Sequence, residues 1–345
     1  MKRIAAASAS ATSAYNLVTS LQQRFVCGLE KCAAELGDGQ RFTPVEWYRA
    51  GGRHGGGVRY ETADGDMIGR GSVNVSQVHY DDMPEKKLAS ANAISTIMHP
   101  CHPLAPSVHI HISWTEMKNG AGYWRMMADL NPANEHAPHT RRFLDALQAA
   151  APEHFEAACA QGDRYFFIPA LDRHRGVAHF YLEQFNSGDA DADFALAERV
   201  GRAAIDCYLD ILADALSHAA APTDAEQARQ LAYHTLYFFQ VLTLDRGTTT
   251  GLLVHDQNDV GIMGSLPASV DRELLQSWGA RMQPPQDRLL EALIAVLPVT
   301  SPALINADVK KQLAAVVRRH YSQYPEAIAM QASGDVIPPT VGNHR

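Results

Sequence analysis

Segments whose residue pattern is typical of strands lie mostly in the middle of the chain, and segments whose pattern is typical of helices lie toward both ends. Apolar residues recur at spacings of three and four over residues 15–36, 193–219 and 307–323, and two shorter helical pieces in 271–296 are separated by "QPPQ". Segments typical of strands are 66–80, 92–98, 107–114, 165–169, 175–182, 234–244 and 260–264. This order predicts an α+β domain, layered like an α/β protein, around one broad sheet.

The chain is long enough to bury a sizeable core, with 345 residues of which 46% are hydrophobic. No repeat or low-complexity linker divides it. We therefore predict a flexible N-terminus over 1–14, a single main domain over 15–325 and a C-terminal tail over 326–345.

Charge and cysteine content limit the partners and the compartment. The net charge of −8 argues against a nucleic-acid surface, so an anionic small substrate would be captured by locally placed arginines. The five cysteines lack any CxxC spacing, which is typical of a reducing compartment. No apolar run approaches the roughly 18 residues of a membrane span. We expect a cytoplasmic protein with a small-molecule partner.

The glycine-rich stretch "GGRHGGGVR" at 51–59 is not a nucleotide-binding loop. It lacks the Gly-Lys-Ser/Thr ending of a phosphate loop and does not stand between a strand and a helix. Two interpretations remain: a flexible surface loop, or a loop that folds over a ligand and supplies Arg53 and Arg59 as anion contacts.

Histidines alternate with apolar residues in "SVHIHIS" at 107–113. On a strand this places His109, His111 and Ser113 on one face, which predicts a polar pocket wall. Neutral imidazoles also bind divalent metals, and His99, His109 and His139, with His111, are the candidate ligands. We favour hydrogen-bonded pocket histidines, since no acidic ligand stands at a recognisable spacing.

An Asp-Arg pair follows the apolar run "AYHTLYFFQVLTL" at 232–244. The run is rich in β-branched and aromatic residues, which favours a strand that ends near Asp245 and Arg246. One of the two charges would then face a cleft. The alternative is a solvated turn in which neither residue has a chemical role.

Several segments together resemble the oxygen-dependent coproporphyrinogen III oxidase family. They run in that family's order over roughly residues 45–280 and read "SVNVSQV" at 72–78, SxxxHPxxPxxPxxH from Ser95 to His109, "ADLNP" at 128–132, "YFFIPALDRHRGV" at 165–177, "DRGTTTGL" at 245–252 and "SLP" at 265–267. The resemblance implies a single domain with a large antiparallel sheet flanked by helices on both faces, and usually a homodimer.

The resemblance also implies a reaction and a set of site residues. Two propionates of coproporphyrinogen, a tetrapyrrole, become vinyl groups, with dioxygen as co-substrate and no organic cofactor. Asp129 and Asp245 would orient pyrrole N–H groups, and Arg246 would hold a propionate or tune Asp245. The resemblance makes His109 a proton donor and Ser95 a substrate contact.

Departures from the family's pattern concern the anion contacts. His111 and Ser113 stand where the family usually has Asn and Arg, so a propionate-binding arginine is missing; "RMM" at 125–127 replaces glycines, "HDQN" at 255–258 replaces a Gly-Gly-Arg stretch, and Glu183 and Gln184 replace two aspartates. Arg53, Arg59, Arg125 and Arg175 are the arginines that would compensate, beside His111 and Ser113 as substrate contacts.

Three functions are compatible with this pattern. The chain is the oxidase just described, or an altered-substrate or metal-assisted enzyme on the same scaffold, or a non-catalytic tetrapyrrole-binding protein. The joint presence of His109, Asp129, Asp245 and Arg246 favours an enzyme.

Overall fold

The structure, a computed structural model, describes residues 2–62, 67–217, 219–255, 258–336 and 339–344. Its strands are β1 (Thr43–Tyr48), β2 (Gly55–Thr62), β3 (Ile68–His79), β4 (Leu88–Pro100), β5 (Ser107–Met117), β6 (Gly122–Asn131), β7 (Phe167–Ile168), β8 (Arg173–His174), β9 (Ala178–Phe185), β10 (Ser269–Val270) and β11 (Ala303–Leu304). Its helices are α1 (Ala9–Glu35), α2 (Ala137–Ala150), α3 (Phe155–Phe166), α4 (Ala190–Ser217), α5 (Asp224–Thr243), α6 (Arg246–Val254), α7 (Asp259–Ile262), α8 (Arg272–Trp278), α9 (Gln286–Ala295), α10 (Ala307–Gln323) and α11 (Thr340–Asn343).

A broad antiparallel sheet runs through the middle of the molecule. Within the described ranges its strand order is β1-β2-β3-β4-β5-β6-β9, so consecutive strands are neighbours until β6, which pairs with β9. The register aligns Asn74, Ser95, His111 and Met127 in one row across four strands. Paired residues on neighbouring strands project to the same face, so the row forms a continuous surface.

Helices cover both faces of this sheet. On one face, α1 and α4 pack over β3 to β6 and bury residues such as Ile94, Ile110 and Ile112 in one hydrophobic cluster. On the other face, α5, α9 and α10 contribute to a second cluster, which Ile97 of β4 joins. The layered α+β arrangement with a large antiparallel sheet is confirmed. The division into a flexible 1–14, a domain over 15–325 and a tail over 326–345 stays a prediction.

The prediction of a strand over 234–244 is wrong, because this segment lies within helix α5. Thr223 caps the helix and forms a capping box with Glu226. Along α5, Tyr237, Phe238, Val241 and Leu242 are all buried in the second cluster, and Tyr237 and Val241 also line a cavity next to the sheet. Since both sides are buried, the segment lacks the polar stripe by which an amphipathic helix is recognised.

The other element predictions differ mainly at short segments. The segment 260–264 is helical, in α7 and the following 3₁₀ turn, so the predicted strand there is wrong. Most of 165–169 belongs to the end of α3 and the short β7. Helix α10 has the predicted bounds, whereas α1 begins at Ala9 rather than at 15. Among the described residues, no helix is both long enough and apolar enough to cross a bilayer.

The glycine-rich stretch is largely a strand, which corrects both loop interpretations. A 3₁₀ turn covers Ala50–Gly52, and β2 begins at Gly55. A Cβ atom on Gly56 would lie 2.2 Å from the carbonyl oxygen of Trp47, and one on Gly57 would lie 2.0 Å from that of Val75. Glycine is therefore required for the close approach of β2 to its two neighbours.

Candidate active site

A cavity of about 240 Å³ lies between the second face of the sheet and helices α5 and α6. Polar side chains of the sheet form one wall, and residues of α5 and of the start of α6 form the other. The walls include Asn74, Ser95, His109, His111, Arg125, Tyr165, Arg175, Tyr237, Asp245 and His255. Apolar residues at the alternating positions of the same strands are buried in the hydrophobic cluster under α1 and α4. Since successive side chains of a strand point to opposite faces, the polar residues face the cavity.

Asp129 is a fully buried carboxylate held by three donors. His109 Nδ1 lies 2.8 Å from Oδ1, and Oδ2 accepts from Asn131 Nδ2 and Arg175 Nη2, each at 2.6 Å. Burial opposes ionisation, but the charges of Arg175 and His109 and these hydrogen bonds outweigh it and lower the pKa of Asp129 to about 2. An ionised carboxylate only accepts hydrogen bonds, so His109 Nδ1 carries the proton and Nε2 is left for a ligand.

Arg175 reaches Asp129 from the turn before β9. Its Nη1 also donates to Gln240 Oε1 at 3.1 Å, and its guanidinium stacks over the rings of Phe166 and Tyr237. Gly176 follows with a φ of 78°, and a Cβ there would lie 2.8 Å from Asn131 Oδ1. Arg175 lines the cavity as predicted for a substrate contact, but its charge is already paired with Asp129.

Asp245 is the N-cap of helix α6 rather than the end of a strand. Its Oδ2 accepts from the backbone N–H of Thr248 at 2.6 Å, and its Oδ1 accepts from the Tyr165 hydroxyl at 2.9 Å. The run "DRGTTTGLL" is thus a helix start, in which an aspartate satisfies an unpaired N–H. The side chain lies on the helical wall of the cavity.

Arg246 does not pair with Asp245. Its Nη1 lies 3.3 Å from Glu183 Oε1 and its Nη2 donates to the carbonyl oxygen of Ala332 at 2.5 Å. The side chain is buried and is not part of the cavity wall. Among the described residues Arg246 thus contacts Glu183 and Ala332 rather than Asp245, and its expected roles in holding a propionate or tuning Asp245 stay predictions.

Glu183 also binds Arg125, from the neighbouring strand. Arg125 Nη2 donates to Glu183 Oε1 at 2.9 Å, and Arg125 lines the cavity. Burial lowers the pKa of Arg125, but the surrounding Tyr181 and Glu183 outweigh it and raise the pKa overall, so the guanidinium is charged. Arg125 lies directly opposite Ser113 in the register of β5 and β6.

The residues predicted as substrate contacts on β4 and β5 are mostly brought together. Ser95 and His111 line the cavity, and His111 Nε2 lies 2.9 Å from Ser113 Oγ. Burial, reinforced by Arg125 and His109, lowers the pKa of His111 well below its usual value, so the ring is neutral at neutral pH. Ser113 is buried and supports His111 without lining the cavity.

Arg53 and Arg59 are not brought to the cavity wall. Arg53 is exposed on a turn, with Nε 3.8 Å from Asp82 Oδ2. Arg59 is buried on β2, where it donates to Glu61 at 2.6 Å and to Asn258 at 3.2 Å. Within "HDQN", the end residues His255 and Asn258 line the cavity, whereas 256–257 lie outside the described residues.

The three histidines named as candidate metal ligands do not share a site. His99 is bonded to Ser107 Oγ at 3.0 Å and to the carbonyl oxygen of Ser265 at 3.1 Å. His139 of α2 is 3.0 Å from Asp214 of α4, on the other side of the sheet from His109. In the described parts of the chain, no three side chains of His, Cys, Asp or Glu are grouped to hold a metal ion. The candidate trio is therefore not assembled as a metal site among the described residues.

Sequence reasoning misses several residues of the cavity wall. Asn74 lies within "SVNVSQV" and belongs to the same row as Ser95 and His111. Tyr165 and Tyr237 are missed because the composition of their segments favours strands. If 232–244 is treated as a helix, the spacing of four between Tyr237 and Val241 places both on one face.

A second polar cluster joins the C-terminal helix to the cavity rim. Arg49 donates to the ring of His255 and to the hydroxyl of Tyr80, which lies 3.0 Å from Nδ1 of His344, and Lys86 Nζ binds the carbonyl oxygen of His344 at 3.1 Å. Burial first, and then the nearby cations, lower the pKa of His255 to about 3 and that of His344 to about 4. Both rings are therefore neutral in the folded protein at neutral pH.

Acidification is expected to detach helix α11. A histidine whose pKa is lower folded than unfolded takes up a proton more readily when released, so the contact is fully stable above about pH 6.5 and weakens as the pH falls toward 4. The protection factors of the Thr340–Asn343 amides, which are corrected for the pH dependence of intrinsic exchange, should fall over this range. In His344→Gln this loss of protection should be much smaller, and an equal pH response in both proteins would contradict the assignment.

Two comparisons with known proteins show the family of this chain. The family model described as Coproporphyrinogen III oxidase matches residues 13–296. The oxygen-dependent coproporphyrinogen-III oxidase of Rickettsia akari (strain Hartford) is 30% identical over 251 residues, which cover 67% of this chain and 85% of that protein. The protein of the same name from Rickettsia bellii (strain OSU 85-389) is 30% identical over 249 residues, with the same coverage. The chain belongs to the coproporphyrinogen III oxidase family of oxidoreductases.

Proposed function

We propose that this protein catalyses the oxygen-dependent oxidative decarboxylation of two propionates of coproporphyrinogen III to vinyl groups, a step of haem biosynthesis. One observation carries the proposal: His109, held by the ionised Asp129, and the carboxylate of Asp245 lie on the walls of one cavity. An acid–base histidine and a proton-accepting carboxylate on one cavity are what this reaction needs, and the family relationship supports it.

The reaction balances without an organic cofactor. Each propionate loses carbon dioxide and two hydrogen atoms and becomes a vinyl group, while one dioxygen is reduced to hydrogen peroxide. The breaking carbon–carbon bond leaves its electron pair to form the vinyl double bond, and dioxygen takes the two electrons removed from the substrate. The protein must therefore activate the pyrrole and supply protons to reduced oxygen.

Asp245 is positioned to accept a pyrrole N–H. The helix N-terminus and the Tyr165 hydroxyl fix its two oxygens, at 2.6 and 2.9 Å, and each oxygen keeps a further acceptor site. A carboxylate that withdraws a pyrrole proton raises the electron density of the ring, which favours electron transfer to dioxygen.

His109 is positioned to deliver a proton. Because Nδ1 is committed to Asp129, only Nε2 can exchange a proton with the cavity. The carboxylate fixes the orientation of the ring and holds Nδ1, so Nε2 is the nitrogen available to the substrate. Donation from Nε2 to the reduced oxygen completes the formation of peroxide.

The proposal also includes the compartment and the oligomeric state of the enzyme. We place the enzyme in the cytoplasm, supported by its five scattered cysteines, which lack any CxxC spacing. A homodimer is proposed from the family relationship, and sedimentation at micromolar concentration tests it.

Incubation of the purified protein with coproporphyrinogen in air tests the reaction. We expect a product that has lost carbon dioxide and two hydrogen atoms at each of two propionates, measured by mass, with one peroxide formed for each propionate converted. Coproporphyrinogen that is bound but unchanged would overturn the proposal in favour of a tetrapyrrole-binding protein. Turnover that a chelator abolishes and one metal restores would overturn it in favour of a metal-assisted enzyme.

A further inference from the structure

Two arginines share one carboxylate at the edge of the cavity. Arg125 and Arg246 contact the same oxygen of Glu183, at 2.9 and 3.3 Å, and the carboxylate is fully buried. One negative charge faces two positive charges, so the group carries one positive charge in excess. Burial of such an excess charge is costly unless a ligand or solvent compensates it.

Arg125 and Arg175 of the cavity wall each have an Nε without a hydrogen-bond partner among the described residues, but the charge of Arg175 is paired with Asp129. Arg246 is committed to Glu183 and to the carbonyl oxygen of Ala332, away from the cavity. Arg125 lines the cavity with 14% of its side chain exposed, and its Nε has no hydrogen-bond partner in the described part of the chain. A guanidinium has five N–H donors in a planar fork that matches a carboxylate. The excess charge is therefore presented to the cavity by Arg125.

The charged groups of Arg175 and Asp245 on the cavity wall already have partners within the protein. Arg175 is neutralised by Asp129 at 2.6 Å. Asp245 is held by Tyr165 and by the start of α6, and Tyr165 packs against Tyr181 beside Glu183. The described wall thus offers an anchor for an anion at Arg125 and an acceptor for N–H groups at Asp245. A tetrapyrrole presents carboxylates at its periphery and N–H groups at its centre.

We propose that Arg125 is a specificity-determining residue that binds one propionate carboxylate of the tetrapyrrole while Asp245 accepts pyrrole N–H groups. This inference rests on the proposed function. Ser113, directly across the register on β5, has a short side chain, so the guanidinium at this row of the sheet comes from β6. Since Arg125 supplies one anchor, porphyrins with two carboxylates should bind about as tightly as those with four.

Exchange of Ser113 and Arg125 tests whether a guanidinium at this row of the sheet is what binds the ligand. In Arg125→Ser, Glu183 keeps Arg246, so the buried carboxylate retains a counterion. The Kd for coproporphyrin, which does not turn over, should rise roughly tenfold or more, and its dependence on salt should weaken. The double variant Ser113→Arg/Arg125→Ser, which returns the guanidinium from the facing position about 5 Å away, should recover most of the affinity.

Matched variants separate binding from folding. Arg202→Ser removes an exposed arginine that pairs with Glu198, and its Kd should equal that of the unchanged protein. Arg125→Lys keeps the charge with fewer donors, so its Kd should lie between that of the unchanged protein and that of the Arg125→Ser variant. For enzyme that turns over, Arg125→Ser should raise KM more than it lowers kcat.

The outcomes distinguish this inference from the proposed function. A folded Arg125→Ser or Arg125→Lys protein with unchanged Kd would overturn the inference while the decarboxylation assay still supports the function. Failure of the unchanged protein to convert coproporphyrinogen, with an Arg125-dependent Kd, would overturn the function and leave a carboxylate-binding cavity. If the double variant does not fold, the Lys variant alone decides between these results.

Discussion

Replacement of Asp129 by Asn is expected to lower the free energy of unfolding by about 3–5 kcal/mol, because it leaves the guanidinium of Arg175 buried without a counterion. Arg175 is itself buried and stacks against Phe166 and Tyr237, which limits how far water can replace the carboxylate. The same change frees His109 from its acceptor at 2.8 Å, and turnover should fall by about a hundredfold or more. Urea unfolding and steady-state rates measure the two effects separately.

The pH dependence of the Asp129→Asn effect gives a second measurement. The pKa of Asp129 is lowered to about 2, below the unfolded value of about 3.9. Its contribution to stability is therefore complete above about pH 4 and is lost as the pH falls through 2. The difference in unfolding free energy between the two proteins should shrink over this range, and a constant difference would contradict the assignment.

A matched control uses an exposed arginine–carboxylate pair. Asp206 lies 2.5 Å from Arg24 on the surface, with about 43% of its side chain exposed. Asp206→Asn should cost less than about 1 kcal/mol, since water screens an exposed pair. Equal losses in Asp129→Asn and Asp206→Asn would show that burial of the pair is not what stabilises it.

Asp245→Asn is expected to lower turnover by more than about tenfold with little change in stability. Asparagine is as good an N-cap as aspartate, so the hydrogen bond from the Thr248 N–H is kept and helix α6 should form unchanged. The substitution removes the charge that accepts a pyrrole proton and retains the size of the side chain. Steady-state kinetics with coproporphyrinogen, together with thermal unfolding, test both parts.

The chain offers a matched control for this variant at a second helix. Asp271 caps α8 and accepts from the N–H of Leu274 at 3.0 Å, outside the cavity wall. Asp271→Asn repeats the chemical change at a cap without reaching the site, so its turnover should equal that of the unchanged protein. Near-native turnover in Asp245→Asn would reject the proton-accepting role.

The sequence predicts the elements whose two sides differ in environment. Strand β5 is recognised because His109 and His111 alternate with Ile110 and Ile112, and the structure places these pairs on the cavity and in the core. Helix α10 is recognised with its bounds because its apolar residues form one stripe. In both elements the contrast between buried and polar sides is visible in the residue spacing.

Helix α5 is an element that the spacing of apolar residues does not identify. Its residues from Tyr233 to Thr243 are nearly all buried, since the helix lies between the sheet and the outer helices. Aromatic and β-branched residues then favour a strand, although tertiary packing overrides such local preferences. The error carries over to Asp245, which is expected at a strand end when it begins a helix.

By itself, the sequence determined the layered α+β class, the polar face of β5 and most of the residues around the site, because these depend on local periodicity and on ordered motifs. Only the tertiary structure decided which charges pair. Asp129 pairs with Arg175, 46 residues away in the sequence. Arg246 pairs with Glu183, 63 residues away, rather than with its neighbour Asp245. Buried charges pair with the opposite charges that lie near them in the folded protein, because an unpaired buried charge is costly. Residue spacing along the chain does not show which side chains come close together.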